Sequence, residues 1–168
     1  MSPRTLPLAL LSLVIAAGCG EDLSPGAGRF GVDFLVSKAL ADELASFQIA
    51  VLPEGSQRDC TAIQTQCLRQ QVKTSELLVL RDANGNERRA LRFTASLSGT
   101  GTTSQDIIIE VPVGRDYALV IEGLSSDSPP RFLGSSCTYL PQGVNATQND
   151  PVIAAPMTLT SVDCDPTI

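Results

Sequence analysis

The sequence predicts an all-β fold: a single antiparallel β-sandwich of about seven to nine short strands, following an amino-terminal signal peptide. Three observations lead there. Apolar residues recur with a period of two through most of the chain, the mark of strands with one buried face. Turn residues punctuate those runs, with 13 Gly and 11 Pro among 168 residues. Helical spacing is confined to one short segment, whereas a parallel sheet would need repeated crossover helices.

Taken in order, Phe30, Val32, Phe34 and Val36 alternate with Gly31, Asp33, Leu35 and Ser37, giving a first half-buried strand. Lys38 to Ser46 places Ala39, Leu40, Leu44 and Ala45 at helical spacing over about two turns, a short helix or turn. Phe47, Ile49 and Val51 alternate next, and Pro53 with Gly55 ends that strand. Cys60 to Cys67 reads as a polar loop with room for one helical turn.

Leu77 to Arg81 and Arg88 to Ala95 flank Asn84-Gly85, a strong hairpin signal because both residues tolerate positive φ. Ser96 to Gln105 reads as a loop, and Ile107, Ile109, Val111 and Val113 as a strand ended by Pro112 and Gly114. Tyr117, Leu119 and Ile121 alternate in the next strand, Ser125 to Pro130 turns the chain, and Arg131 to Tyr139 returns. Val152 to Cys164, interrupted by Pro156, reads as a closing edge strand.

The amino terminus has a different character. Arg4 precedes an apolar run from Leu6 to Ala17 that ends in Gly18-Cys19. Twelve helical residues cover about 18 Å, short of the roughly 30 Å hydrocarbon core, so a permanent span is not expected. Ala16-Ala17-Gly18-Cys19 with this apolar run resembles the lipobox of bacterial lipoproteins, although that family prefers Leu, Val or Ile where Ala16 stands.

The resemblance implies S-diacylation of Cys19, a cut before it and acylation of its new amino group, with palmitate-type chains forming a lipid anchor. The alternative is an ordinary secretory signal cut after an Ala-x-Ala-like site. Residues 1–18 are then the signal peptide, 19–28 the lipidated cysteine and a Gly/Pro/acid tether, and 29–168 the β-sandwich domain. Gly20 replaces the Asp that retains some lipoproteins at the inner membrane, which resembles outer-membrane cargo.

Without residues 1–18 the chain keeps 18 acidic and 11 basic side chains, a net charge of −7. That disfavours nucleic acid, whose binders need a basic stripe. There is no His and no Trp. The commonest general base and zinc ligand is therefore missing, and neither cofactor nor metal is expected.

Five cysteines are an odd number, but assigning Cys19 to lipid leaves Cys60, Cys67, Cys137 and Cys164 as an even set. Export supplies the oxidising compartment that disulfides need. Of the three connectivities, local pairing is favoured: Cys60–Cys67 stapling a loop, and Cys137–Cys164 tying the last strand to an earlier one.

Other chemistry is sparse. Arg81, Arg88, Arg89 and Arg92 cluster around the Asn-Gly hairpin. They form a candidate patch for an anion such as lipid A or a polysaccharide, but read more simply as charges guarding a strand edge. Asp82-x-Asn84-x-Asn86 starts like a calcium loop, yet Glu87 and Phe93 stand where Gly and Glu are required. Asp106 and Glu110 share a strand face about 13 Å apart, too wide for an acid–base pair.

The stretch Val111-Pro112-Val113-Gly114-Arg115-Asp116-Tyr117, running on to Leu124, resembles transthyretin-like and carboxypeptidase-regulatory-like sandwiches. Leu133-Gly134-Ser135-Ser136-Cys137 is similar to a segment of uncharacterised myxobacterial lipoproteins. The resemblance implies an Ig-like or transthyretin-like sandwich and no particular activity, since such folds host many roles.

The expected protein is an envelope-anchored lipoprotein on an outer membrane, acting as a non-enzymatic binding or structural module, with an envelope protein or polysaccharide as partner. The competing expectation is a carboxylate-dependent hydrolase or an accessory subunit of a cell-envelope enzyme. A small-ligand carrier is a third, and would need an apolar cavity.

Overall fold

Nine strands and three short α-helices form among the described residues, which in the computed structural model are 27–82, 84–96, 102–113, 116–141, 152–157, 159–160 and 162–168. The strands are β1 (Ala27–Leu35), β2 (Ser46–Pro53), β3 (Leu80–Arg81), β4 (Glu87–Arg88), β5 (Leu91–Thr94), β6 (Thr102–Pro112), β7 (Tyr117–Leu124), β8 (Phe132–Leu140) and β9 (Val152–Ile153). The helices are α1 (Lys38–Glu43), α2 (Cys60–Ile63) and α3 (Leu68–Gln71). One sheet has the order β6-β1-β9, a second β5-β2-β7-β8, and β3-β4 stands as a separate hairpin. All pairings are antiparallel except that of β1 with β9. The expectation of a strand-dominated, largely antiparallel chain holds.

The two sheets share one apolar cluster. Val32, Val36, Ile109 and Val111 from the first meet Phe47, Ile49, Val51, Leu119 and Ile121 from the second, with Leu40 of α1 beside them. α1 starts where Ser37 accepts a bond from the Leu40 amide at 3.3 Å, the usual role of serine at a helix start.

Half-burial, expected of every strand, fails for the central pair. The reverse faces of β2 and β7, carrying Ala50, Leu52, Ala118 and Val120, pack in a second cluster with Ile63, Leu68 and Leu77. Both parities of Ala50-Val51-Leu52 and Ala118-Leu119-Val120 are apolar. Such a strand needs a cover on each side. Residues 54–77 provide it, by way of α2, α3 and two 3₁₀ turns, Gly55–Gln57 and Thr74–Glu76. Asp59 opens α2 by accepting from the Ala62 amide at 3.1 Å.

Three boundaries differ from the sequence expectation. The hairpin keeps only two rungs, Leu80 with Arg88 and Arg81 with Glu87. The chain then bends, and β5 pairs with β2, where Phe93 stacks on Phe47 with ring centroids 5.7 Å apart. Burial of this aromatic pair outweighs continuing a solvent-facing hairpin. The strand expected from Ile107 begins at Thr102, because the β1 partner continues to Leu35.

The closing strand shrinks to Val152–Ile153, and Pro156 interrupts the chain soon after it. It lies at a sheet edge, but parallel to β1. Beyond it, Met157 N donates to Leu35 O at 2.9 Å and Thr160 N to Leu133 O at 2.8 Å. Ser136 Oγ also donates to Ala155 O at 2.6 Å. This segment therefore laces β1 in one sheet to β8 in the other.

Candidate functional site

A polar row crosses the second sheet beneath its helical cover. Strand register aligns Arg92 of β5 with Gln48 of β2, Gln48 with Glu122 of β7, and Glu122 with Ser135 of β8. Gln48, Glu122 and Ser135 are 3%, 1% and 7% exposed. Buried acids and amides are rare unless their bonding capacity is met, and here most of it is.

One Glu122 oxygen, Oε1, accepts from the Leu68 amide at 2.7 Å, and Oε2 accepts from Gln48 Nε2 at 2.5 Å. The second hydrogen of Gln48 Nε2 goes to Pro166 O at 2.5 Å. Its Oε1 accepts from Arg92 at 3.4 Å, the weakest link of the row. Burial pushes the Glu122 carboxyl above the usual range, opposed by the bonds from Leu68 and Gln48. Ser135 Oγ, by contrast, finds no hydrogen-bond partner among the described residues.

Sequence reasoning passed over this row. The signal was present as one acid inside the otherwise apolar run Tyr117-Ala118-Leu119-Val120-Ile121-Glu122. Its counterpart, Gln48, lies between Phe47 and Ile49. Only the pairing register brings the two side chains together, and that register lies between distant strands.

The four cysteines pair, but not locally. Cys60 joins Cys137 and Cys67 joins Cys164, with Cα separations of 5.2 and 6.2 Å, both in the ordinary range. The expected Cys60–Cys67 and Cys137–Cys164 pairing is thereby corrected. A helical turn begins at Cys60 and a second helix starts just after Cys67, so the two thiols stand at the starts of different helices of the cover. Cys60 lies over β8, where Tyr139 Oη accepts from its amide at 3.0 Å and Gln64 Nε2 donates to Cys137 O at 3.2 Å. Cys67, next to the Leu68 amide that binds Glu122, meets the C-terminal segment instead.

The four arginines lie on or beside the hairpin, each facing a group of its own chain. Arg81 approaches Glu87 and Arg88 approaches Asp82, both at 3.8 Å. Arg89 donates to Leu77 O, and Arg92 to the Gln48 amide oxygen. Asp82 Oδ1 accepts from the Asn84 and Asn86 amides, both at 2.9 Å, and the bonds from Asn86 and Asn84 hold its carboxyl below the usual range. That is how a tight turn uses an aspartate. Cys19 lies outside the described residues, as does the tether up to residue 26.

Among the described residues no group of three or more His, Cys, Asp or Glu side chains is placed to hold a metal ion. None of their helices is long and apolar enough to cross a membrane. Comparison of the chain with protein-family models, curated proteins and solved structures finds no match.

Proposed function

We propose that the chain is a lipoprotein of the bacterial cell envelope, held at the outer membrane by a lipidated Cys19. It presents a disulfide-clamped, non-enzymatic module that binds an envelope protein or polysaccharide or serves a structural role. The cysteine tally carries this reading. Four of the five cysteines are consumed by two disulfides, leaving Cys19 as the one outside those pairs, at the end of the apolar leader. Disulfides also belong to exported proteins, the class in which a lipobox operates.

The module is read as a β-sandwich of Ig-like or transthyretin-like type. Two features support that reading: the apolar cluster shared by the sheets, and Tyr117 at the crossing from β6 to β7. The Tyr117 hydroxyl donates to Pro112 O at 2.8 Å, five residues upstream. Tyrosines that bond back across such a corner are a feature of Ig-type sandwiches. The absence of His and the net negative charge support a module that neither performs histidine-dependent catalysis nor grips nucleic acid.

Detergent phase separation of cells expressing the chain and its Cys19→Ser variant tests the anchor. The parent is expected in the detergent-rich phase and the variant in the aqueous phase, since acyl chains supply the membrane affinity. A variant that still partitions into detergent removes the lipid reading.

A further inference from the structure

Residues 162–168 belong to no strand or helix, yet they lie on the reverse face of the second sheet. Four contacts hold them there. Cys164 is bonded to Cys67, Pro166 O accepts from Gln48, Asp165 pairs with Arg69 at 2.5 Å, and Ile168 packs on the second apolar cluster. The Arg69–Asp165 pair is well exposed, at 49% and 61%, and such pairs contribute little. The disulfide is the covalent tie among the four.

The two bridges are unequal in access. Cys60 and Cys137 are only 7% and 5% exposed, both within the second apolar cluster, and α2 is further tied to β8 by the Tyr139 and Gln64 bonds. Cys67 is fully buried, but Cys164 is only partly so. Thiol–disulfide exchange requires a thiolate to reach one sulfur, so Cys164 is the point of entry.

We propose that residues 162–168 are a redox-held strap, closed by Cys67–Cys164 and released by a dithiol reductant while Cys60–Cys137 keeps the fold together. One thiolate of the reductant attacks Cys164 Sγ, and Cys67 leaves as a thiolate that takes a proton. The second thiolate of the reductant then displaces Cys164, which is protonated in turn. Two electrons pass to the protein, and the reductant ends as its own disulfide. Freed of its covalent tie, the strap gives up Pro166 O and Ile168, and the Gln48–Glu122 pair becomes open to water.

Graded dithiothreitol treatment of the purified exported chain, quenched by alkylation and mapped by mass spectrometry, tests this device. Cys67 and Cys164 are expected to be alkylated first, with Cys60–Cys137 intact and far-ultraviolet circular dichroism unchanged. Endoproteolytic release of residues 162–168 should then run roughly tenfold faster or more, as local opening replaces global opening. The Cys67→Ser/Cys164→Ser double variant should show the same release without reductant. Simultaneous loss of both bridges with loss of secondary structure overturns the proposal. A strap that stays protected after selective reduction overturns it too. Because the wild-type chain is measured directly, the outcome stands even where the double variant fails to fold, and it does not depend on lipidation of Cys19.

Discussion

Glu122 shows how one side chain can be both a cost and a fastening. Its carboxylate is taken out of water, a penalty that pushes its pKa above the ordinary value of 4.5, yet both oxygens receive N–H donors from the layers it joins. A carboxyl whose folded pKa is raised contributes stability in full below its unfolded pKa. That contribution is lost as pH rises through the folded value. The carboxylates Asp82, Asp116 and Asp127 are lowered, by the Asn86 and Asn84 amides, Ser56 and Arg131 respectively, and run the opposite way. Their contributions are present above the unfolded pKa and lost as pH falls through the folded one. They are common to parent and variant, so a Glu122→Gln comparison isolates the buried group. Denaturant unfolding of both proteins from about pH 4 to about pH 7 should show the stability difference shifting in the variant's favour as pH rises. A difference that stays constant across that range would mean that burial does not perturb Glu122.

The central elements depend on close approach as much as on apolar pattern. Glu54 takes a left-handed backbone, φ 57°, and the next residue, Gly55, lies against the β7 backbone. A Cβ at Gly55 would fall 2.1 Å from the Tyr117 carbonyl, where neither backbone can yield cheaply. Gly55→Ala is therefore expected to destabilise by about 1–3 kcal/mol or more, read from the denaturant midpoint, because overpacking forces the cover away from β7. A variant matching the parent would show that the 54–77 cover is loosely seated.

The element scale also shows what was legible in the sequence. Alternation at Phe47, Ile49 and Val51, and at Tyr117, Leu119 and Ile121, marked the strands and their shared inner face correctly. It was blind to the outer face, because Ala50, Leu52, Ala118 and Val120 are buried by a cover that is polar in its own sequence. Helices as short as α2 and α3 carry too little period to announce themselves, and they form here through packing and through Asp59 at the start of α2. The Arg81–Arg92 group was visible as composition, while its pairing with Glu87, Asp82 and the Leu77 carbonyl was not.

At the scale of the whole molecule, the disulfides interleave: Cys60–Cys137 spans 77 residues and Cys67–Cys164 spans 97. Neither closes a local loop. Each ties the helical cover to a segment more than seventy residues later, so the pair constrains the unfolded chain more than local pairing would, though only logarithmically in loop length. In the chain-entropy account a loop of about 100 residues is worth up to about 4.7 kcal/mol. Two such bridges are then comparable with the whole stability of a domain, about 5–15 kcal/mol. The cover and the central sheet would still share an apolar cluster without them, but residues 162–168 would lack a covalent tie and α2 would keep only hydrogen bonds and packing against β8. Peptide mapping under non-reducing conditions should recover the Cys60–Cys137 and Cys67–Cys164 pairs. Exhaustive reduction and alkylation of all four thiols should then abolish the cooperative thermal transition seen by circular dichroism. Recovery of Cys60–Cys67 and Cys137–Cys164 peptides would contradict the layer arrangement directly. A transition that survives alkylation at an unchanged midpoint would show that packing of the two apolar clusters alone holds the layers.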